Sequence, residues 1–561
     1  MRISTIPTKP IEGQKTGTSG LRKKVAVIES TPNYIENWIQ SLMNALNGAQ
    51  VGSSFVIGGD GRYLNDKAIV SAIEILAANK VKRVYIGQNG LLSTPAVSNI
   101  IRRRKLFGGI ILTASHNPAG PRGDWGIKFN ASNGEPAPEK LTDKIYSETV
   151  TISEIHRASI SVDLSQIGET RISDIDDFAV EVIDPVDEYI ELMREIFNFE
   201  KISKFLSSKK IIFDGMHAVT GIYGKRIFIK ELGLKENESI LLSNCDPSPD
   251  FNGGHPDPNL VYAHDLVSKM MTPNCPFVLG AASDGDGDRN MIMGANWFVT
   301  PSDSLAIIAD YAAKKAIPYF ERNGLKGVAR SMPTSRAIDA VCEVRNIPCF
   351  QTPTGWKYFG NLMDAGLVNL CGEESFGTGS DHIREKDGVW AVMSWLSILE
   401  FVNRGSTELI GVREINERHW DKYGRHMYCR CDYEEVDANG AQDMMNYIRS
   451  QLGVIVGTQS APGWTVVSAE EYNYTDPVDK SEAKNQGLIV CFENGSRIVL
   501  RLSGTGSAGA TIRVYMEYYV KEWRKPEFAD MVMAKSPLMD IAIKLSEIER
   551  FTGRKTPSVI T

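Results

Sequence analysis

From about residue 54 the chain alternates short apolar, β-branched runs with segments whose apolar positions recur every three to four residues. SFVIGG (54–59) reads as a strand, DKAIVSAIEILAANK (66–80) as an amphipathic helix and RVYIG (83–87) as the next strand. A helix-like PAVSNIIRRRK then leads into a strand, GGIILT. Each unit ends in Gly, Pro, Ser or Asn, and the βαβα rhythm predicts a mostly parallel sheet covered by helices.

The rhythm returns after a polar, Pro-punctuated stretch and the helix-like VDEYIELMREIF. KIIFDG (210–215) reads as a strand, residues near 219–232 as a helix and PFVLGAA (276–282) as a strand. A third round runs through a helix SDSLAIIADYAAKK (302–315), a strand GVARSM (327–332) and a helix SRAIDAVCEV (335–344). A strand near 348–352 and a strand VNLCGEES (368–375) complete it. No period of identical residues underlies these rounds, so they repeat topology rather than sequence. Past about 420 the texture changes: IVCFENGSRIVLRLSGTGSAGATIRVYMEYYV alternates with period two around an Asn494-Gly495 turn, which predicts an antiparallel sheet. The expected organisation is three topologically related α/β domains with mixed sheets (1–188, 189–302, 303–419) and a C-terminal α+β domain (420–561), enclosing a central cleft.

Length agrees, since 561 residues at about 150 per domain make three to five units. The charge balance, 62 Lys+Arg against 69 Asp+Glu for a net −7, is the opposite of a nucleic-acid binder's basic footprint. Any anionic ligand must be held by local positive sites. The eight Cys are scattered without a C-x-x-C pair, which fits a reducing compartment better than a disulfide framework or zinc knuckle. The N-terminal stretch has no apolar leader core, and no apolar run is long enough to span a bilayer. The expectation is a cytoplasmic protein with no membrane partner. No H-x-x-x-H or H-E-x-x-H spacing occurs, so a metal should sit on oxygen ligands.

Three unusual loops follow three strands on the side where open α/β sheets gather ligands. They are TASHNP (113–118), DGDGDR (284–289) and GEES (372–375). In DGDGDR, Asp284, Asp286 and Asp288 can turn oxygens toward one point while Gly285 and Gly287 permit the tight backbone, an arrangement suited to a hard cation such as Mg2+. TASHNP offers the Ser115 hydroxyl beside His116, but neighbours in extended backbone point opposite ways, which makes His116 a poor base for Ser115. No G-x-S-x-G occurs, which weakens a serine-hydrolase reading.

Gly504, Gly506 and Gly509 have dinucleotide-loop spacing, yet the segment after them alternates as a strand, so a Rossmann turn is not indicated. As strand-loop-strand, the segment puts Arg501 and Ser503 on one face, Thr505 and Ser507 in a loop and Arg513 on the returning strand. The set suits a phosphate dianion. The single Gly-Lys, at 224 and 225, lacks the Ser or Thr of a Walker A loop, so ATP is not the expected donor. The basic run Arg102, Arg103, Arg104, Lys105 ends a predicted helix, where cations complement the dipole.

Together these segments, with GTSGLRKK (17–24), TASHNPAGPRGDWGIKFN (113–130), TPTGWKYF (352–359) and GEESFGTGSDHIREKDGVWA (372–391), resemble the α-D-phosphohexomutase superfamily, and its glucose-specific branch more than its mannose-specific one. A small departure is Ala119, where the family usually has a second Gly after Pro. The resemblance implies reversible exchange of α-D-glucose 1-phosphate and glucose 6-phosphate through bound glucose 1,6-bisphosphate. It implies that Ser115 carries the phosphoryl group and that Asp284, Asp286 and Asp288 hold Mg2+ together with a phosphoserine oxygen. Thr354, Gly355, Glu373 and Ser375 would grip the sugar. Arg501, Ser503, Gly504, Thr505 and Arg513 would hold the phosphate that is not reacting, with Thr18, Ser19, Arg289 and Lys386 as further substrate contacts.

O1 and O6 of one sugar are too far apart for a direct in-line jump, so a covalent carrier is required. Arg22 and Lys128 are expected to steady the moving group. The base that takes the hydroxyl proton stays open among His116, Lys128 and Lys386, with a lysine neutralised by neighbouring cations favoured. A broader phosphohexomutase and a mutase-like scaffold without turnover are the alternative readings, and the sequence leaves monomer and dimer undecided.

Overall fold

The computed structural model describes residues 3–17, 20–506, 509–529, 533 and 536–561, apart from the side chains at 504–506 and 529. The first sheet has seven strands in the order Leu21–Lys24, Asp124–Asn130, Gly108–Leu112, Ser54–Gly59, Arg83–Leu91, Phe178–Ile183, Gly168–Ile172. Its four central neighbours run parallel, and the flanking strands return antiparallel. The second sheet runs Ile240–Ser243, Lys210–Asp214, Phe277–Ser283, Asn290–Gly294, Trp297–Val299; the third runs Cys349–Thr352, Val328–Ser331, Leu370–Gly372, Thr378–Ser380. Each pairs a parallel core with an antiparallel return.

That shared return places the chemistry. In all three sheets the unusual loop joins the last parallel strand to the antiparallel strand beside it: Gly108–Leu112 to Asp124–Asn130, Phe277–Ser283 to Asn290–Gly294, and Leu370–Gly372 to Thr378–Ser380. Central strands such as GGIIL and FVLGAAS are buried on both faces, which is why they read as unbroken apolar runs.

The fourth sheet is wholly antiparallel, in the order Val466–Glu471, Leu488–Phe492, Arg497–Gly506, Gly509–Val520, Arg425–Val436, Val559–Ile560. Helix Ala438–Ile455 packs its apolar face, Ala441, Met444, Met445 and Ile448, into that sheet's core. Helix Gly388–Val402 is apolar all round and buried over Gly388–Leu399, and it runs between the second and third units.

Several local expectations change. The segment read as helix near 219–232 is α-helical only over Thr220–Gly224 and then widens into a π-helix over Lys225–Glu231. The strand read over 368–375 is confined to Leu370–Gly372, and Glu374 and Ser375 belong to a turn. Thr505 belongs to the strand Arg497–Gly506 rather than to a loop, while Ser507 lies outside the described residues. The division expected at 419 falls within helix Val412–Tyr423, which ends two residues before the fourth sheet begins at Arg425.

Candidate active site

Ser115 lies three residues past the strand Gly108–Leu112, is 4% exposed and sits in left-handed backbone, φ 53°. That conformation is uncommon for serine, and a buried network imposes it. Asp60, just past the neighbouring strand Ser54–Gly59, pairs with Arg62 at 2.8 Å, both side chains fully enclosed. The Thr113 hydroxyl donates to Asp60 at 2.6 Å and accepts the Ser115 N–H at 2.7 Å. Arg62 Nη2 donates to the Ser115 carbonyl and Nη1 to the Asp124 carbonyl, each at 2.8 Å. Sequence reasoning passed over this pair; its signal is the Asp-Gly-Arg directly after a buried strand.

The Ser115 hydroxyl donates to Asp284 Oδ2 at 3.0 Å. Asp284, Asp286 and Asp288 are buried, and one carboxylate oxygen from each lies within 4.8 Å of the others. Thr94, at the start of helix Thr94–Arg104, fixes the loop from the first unit: its hydroxyl donates to Asp286 Oδ2 at 2.7 Å and its N–H to the Asp286 carbonyl at 2.9 Å. Burial first, then the charges of Asp288 and Asp286, hold the Asp284 carboxyl well above the ordinary range. Asp286 is also buried, but Lys128, the Thr94 hydroxyl and Lys386 outweigh that and hold it low. Asp286 Oδ1 and Asp288 Oδ1 are enclosed without a hydrogen-bond partner among the described residues. Three converging carboxylates with unmatched buried oxygens suit a divalent cation.

The geometry revises the expectation for His116. Because Ser115 is left-handed rather than extended, the two side chains turn the same way, and His116 Nδ1 lies 3.3 Å from Ser115 Oγ. Burial, then Arg289 and Arg22, press His116 well below its usual value and keep the ring neutral. Its ring also lies parallel to that of His255, with centroids 6.3 Å apart.

The surroundings of Lys128 differ from those expected for a lysine neutralised by neighbouring cations. Burial alone would lower Lys128, but Glu385, Asp286 and Asp288 outweigh it and hold the ammonium above its ordinary value. Its surroundings are carboxylates, not cations: Lys128 Nζ meets Glu385 Oε1 at 3.1 Å, an oxygen that also accepts from Asn130 at 2.9 Å. Glu385 was not singled out from the sequence, though it sits beside Lys386. Lys386 Nζ reaches Asp288 Oδ2 at 3.1 Å. Arg289 donates its N–H to Asp284 Oδ1 at 3.0 Å and pairs with Asp257 at 3.3 Å. Arg22, opposite Gly126 in the sheet, lies close enough to Asp286 and Arg289 to feel both charges. Arg22 Nε and Arg289 Nε are buried without partners among the described residues.

In the third unit Gly355 has φ 130°, which a side chain rarely tolerates, and its N–H donates to Glu373 Oε1 at 3.1 Å. Thr354 Oγ1 is buried and unpartnered among the described residues, and Ser375 is half-buried two residues beyond Glu373. Burial, opposed by Lys386, pushes Glu373 up. In the fourth unit Arg501 stands opposite Arg513 and Ser503 opposite Thr511. Their bonds stay within that unit: Arg501 donates to the Gln486 carbonyl at 3.2 Å, and Arg513 meets Asp432 at 3.6 Å. Arg430 links the units by pairing with Glu374 at 3.2 Å, a bridge not read from the sequence. Thr18 and Ser19 lie outside the described residues, as do the side chain of Thr505 and the surroundings of Gly504.

Comparison with known proteins follows this division. Residues 13–156, 187–297 and 300–423 match the α/β/α domains I, II and III of phosphoglucomutase/phosphomannomutase, and 425–558 match the phosphoglucomutase-1 C-terminal domain. A cytoplasmic phosphoglucomutase of Bromus inermis is 54% identical, covering 99% of this chain and 98% of its own. A chloroplastic phosphoglucomutase of Arabidopsis thaliana is 53% identical, covering 100% and 89%. The crystal structure of the Paramecium exocytosis-sensitive phosphoprotein parafusin, a phosphoglucomutase in its open form, superposes with TM-score 0.91 at 48% identity, covering 100% and 99%. No helix among the described residues is long and apolar enough to cross a membrane. With four matched domains spanning the chain and full-length relatives at over half identity, the protein belongs to the phosphoglucomutase family of isomerases.

Proposed function

We propose that Ser115 is the covalent relay of a phosphoglucomutase reaction between α-D-glucose 1-phosphate and glucose 6-phosphate. The observation that carries this reading is the Ser115 hydroxyl held 3.0 Å from Asp284 within a triplet of converging carboxylates. In the first half-reaction the P–Oγ bond of phosphorylated Ser115 breaks as a bond to one sugar oxygen forms, and the attacking hydroxyl gives its proton to a base. Glucose 1,6-bisphosphate results, turns within the cleft and returns its other phosphoryl group to Ser115.

Asp284, Asp286 and Asp288 are the residues that would hold a divalent cation, Mg2+ in this reading, and the cation supplies charge neutralisation at the serine oxygen. Arg22, Lys128 and Arg289 steady the phosphoryl group in transfer, an electrostatic contribution worth about 10²–10³ in rate per well-placed donor. Neutral His116, in reach of Ser115 Oγ, and Lys386, beside Asp288, remain as bases; the charged Lys128 serves as a phosphate contact. Thr354, Gly355, Glu373 and Ser375 orient the sugar, and Arg501, Ser503, Thr505 and Arg513 hold the other phosphate. The eight unpaired cysteines fit action in the cytosol.

The test is a coupled assay with glucose 1-phosphate, Mg2+ and a trace of bisphosphate, run beside Ser115→Ala, with intact mass reporting a phosphoryl group on the parent chain. Ser115→Ala is expected to lose turnover and the mass addition together. Interconversion at the parental rate by that variant overturns the relay, and faster conversion of mannose 1-phosphate overturns the glucose assignment.

A further inference from the structure

Glu385 and Lys386 come from neither a helix nor a strand. They lie in the connection between strand Thr378–Ser380 and helix Gly388–Val402, yet each reaches a partner in another unit, Lys128 and Asp288. A long side chain on loose backbone would hold such a position poorly, and the loop is closed from within. His382 Nδ1 lies 2.8 Å from Ser380 Oγ, and His382 Nε2 lies 2.9 Å from Asp387 Oδ2. Asp387 Oδ1 accepts the Tyr189 hydroxyl at 2.7 Å and the Trp390 N–H at 3.0 Å. The Trp390 indole stacks on the imidazole, centroids 5.5 Å apart at 19°. One histidine ring therefore pins residue 380 to residue 387 across the segment that carries both side chains.

The charges assign one hydrogen. An ionised carboxylate only accepts, so Nε2 carries the hydrogen toward Asp387, while the Ser380 hydroxyl can donate or accept at Nδ1. The serine-histidine-aspartate order is that of a hydrolase, but Ser380 and Asp387 are wholly buried and no substrate reaches them. The backbone on either side of this segment meets the DGDGDR loop: Gly388 N–H donates to the Gly287 carbonyl at 3.0 Å and Asn290 N–H to the Phe376 carbonyl at 2.9 Å. A Cβ at Gly388 would stand 2.0 Å from the Arg289 carbonyl, so helix and loop are in direct contact.

We propose that His382, anchored by Asp387 and Tyr189, is a positioning residue that sets the reach of Lys386 to Asp288 and of Glu385 to Lys128. It acts on turnover through those two pairs and touches no substrate. The inference rests on the phosphoryl-relay reading for the part Lys386 plays. Since a misplacement of about 1 Å can cost about a hundredfold in rate, loosening this ring should slow the chemistry more than it weakens binding.

The test is steady-state kinetics on the full chain with glucose 1-phosphate, corrected for folded fraction. His382→Leu is expected to lower kcat by about tenfold or more with KM within about threefold. His382→Gln, whose amide keeps a donor toward Asp387, should recover most of it. Tyr189→Phe removes one hydroxyl and should also lower kcat, and it carries the test if His382→Leu does not fold. Combined with Lys386→Met, His382→Leu should cost less than the product of the two single losses. Parental kcat in both His382→Leu and Tyr189→Phe, glutamine as slow as leucine, or fully multiplicative losses would each overturn the inference. Parental turnover in Lys386→Met instead removes the assigned part of Lys386, a failure of the underlying reading that the single His382 variants do not mimic.

Discussion

Gly285 lies so close beneath Ser115 that a Cβ built there would stand 2.3 Å from the Ser115 carbonyl oxygen. The loop of the second unit thus touches the backbone of the first, and the contact is with main chain that cannot swing aside. Gly285→Ala should push the two loops apart and lengthen the Ser115–Asp284 bond. Turnover is expected to fall about a hundredfold, with overall stability little changed because the strain is relieved at the loop junction. A Gly285→Ala protein at parental kcat would mean that the two loops are not in working contact.

Metal dependence should carry a pH signature with a definite sign. Burial and the neighbouring Asp288 and Asp286 hold the Asp284 carboxyl well above its ordinary 3.8 in the metal-free folded chain. The folded state therefore keeps a proton that the unfolded state has already lost, so this group's contribution to metal-free stability declines as pH rises from 3.8 through the raised value. A divalent cation displaces that proton, and its stabilisation must grow over the same window. The gap between Tm with Mg2+ and Tm with chelator is expected to widen as pH rises. A gap that narrows or stays constant counts against the triplet as the metal site.

The Asp60–Arg62 pair gives a stability prediction. Burial pushes Asp60 up and Arg62 opposes it, so removing the guanidinium strands a buried carboxylate. Arg62→Met should cost about 3–5 kcal/mol, read as a lower urea midpoint. It should also slow turnover, since Arg62 holds the Ser115 carbonyl. Adding Asp60→Asn should return part of the stability, because no unpaired charge is then left behind. An Arg62→Met midpoint at the parental value would show that the pair does not support the loop.

What was legible in the sequence follows from the range of each interaction. The helices Asn65–Ala78 and Thr94–Arg104, and strands such as Gly108–Leu112 and Phe277–Ser283, declare themselves through local apolar periodicity, and DGDGDR through its own spacing. Thr94 with Asp286, or Asn130 with Glu385, join positions 192 and 255 residues apart, and no local pattern encodes such a pairing. Ser115 and His116 show the same limit at short range. Their separation turned on a left-handed serine, a conformation imposed by Asp60, Arg62 and Thr113 and invisible in T-A-S-H alone. The charged state of Lys128 likewise depends on Glu385 arriving from another unit.

Arg501 and Arg513 face each other across neighbouring strands, an arrangement in which like charges weaken a sheet. Arg513 has Asp432 nearby, but Arg501 forms no ion pair among the described residues; it donates to the Gln486 carbonyl and lies 3.5 Å from the Tyr515 hydroxyl. Two opposed cations whose one nearby carboxylate lies on the far side of Arg513 would suit a ligand that brings its own negative charge, as the proposed phosphate dianion does. Arg501→Ala should therefore leave the urea midpoint unchanged or raise it slightly, by about 0.2–1 kcal/mol. The cost should appear in function. In the proposed reaction the bisphosphate has to turn without leaving, so with one cation gone it should escape faster than it reorients. In a single-turnover experiment with labelled bisphosphate and an unlabelled trap, Arg501→Ala should release intermediate at least several times faster than the parent, while the Mg2+ dependence stays put. Equal release from the two proteins would show that these arginines do not hold the waiting phosphate. A shifted Mg2+ dependence would move Arg501 from the phosphate cup to the metal site.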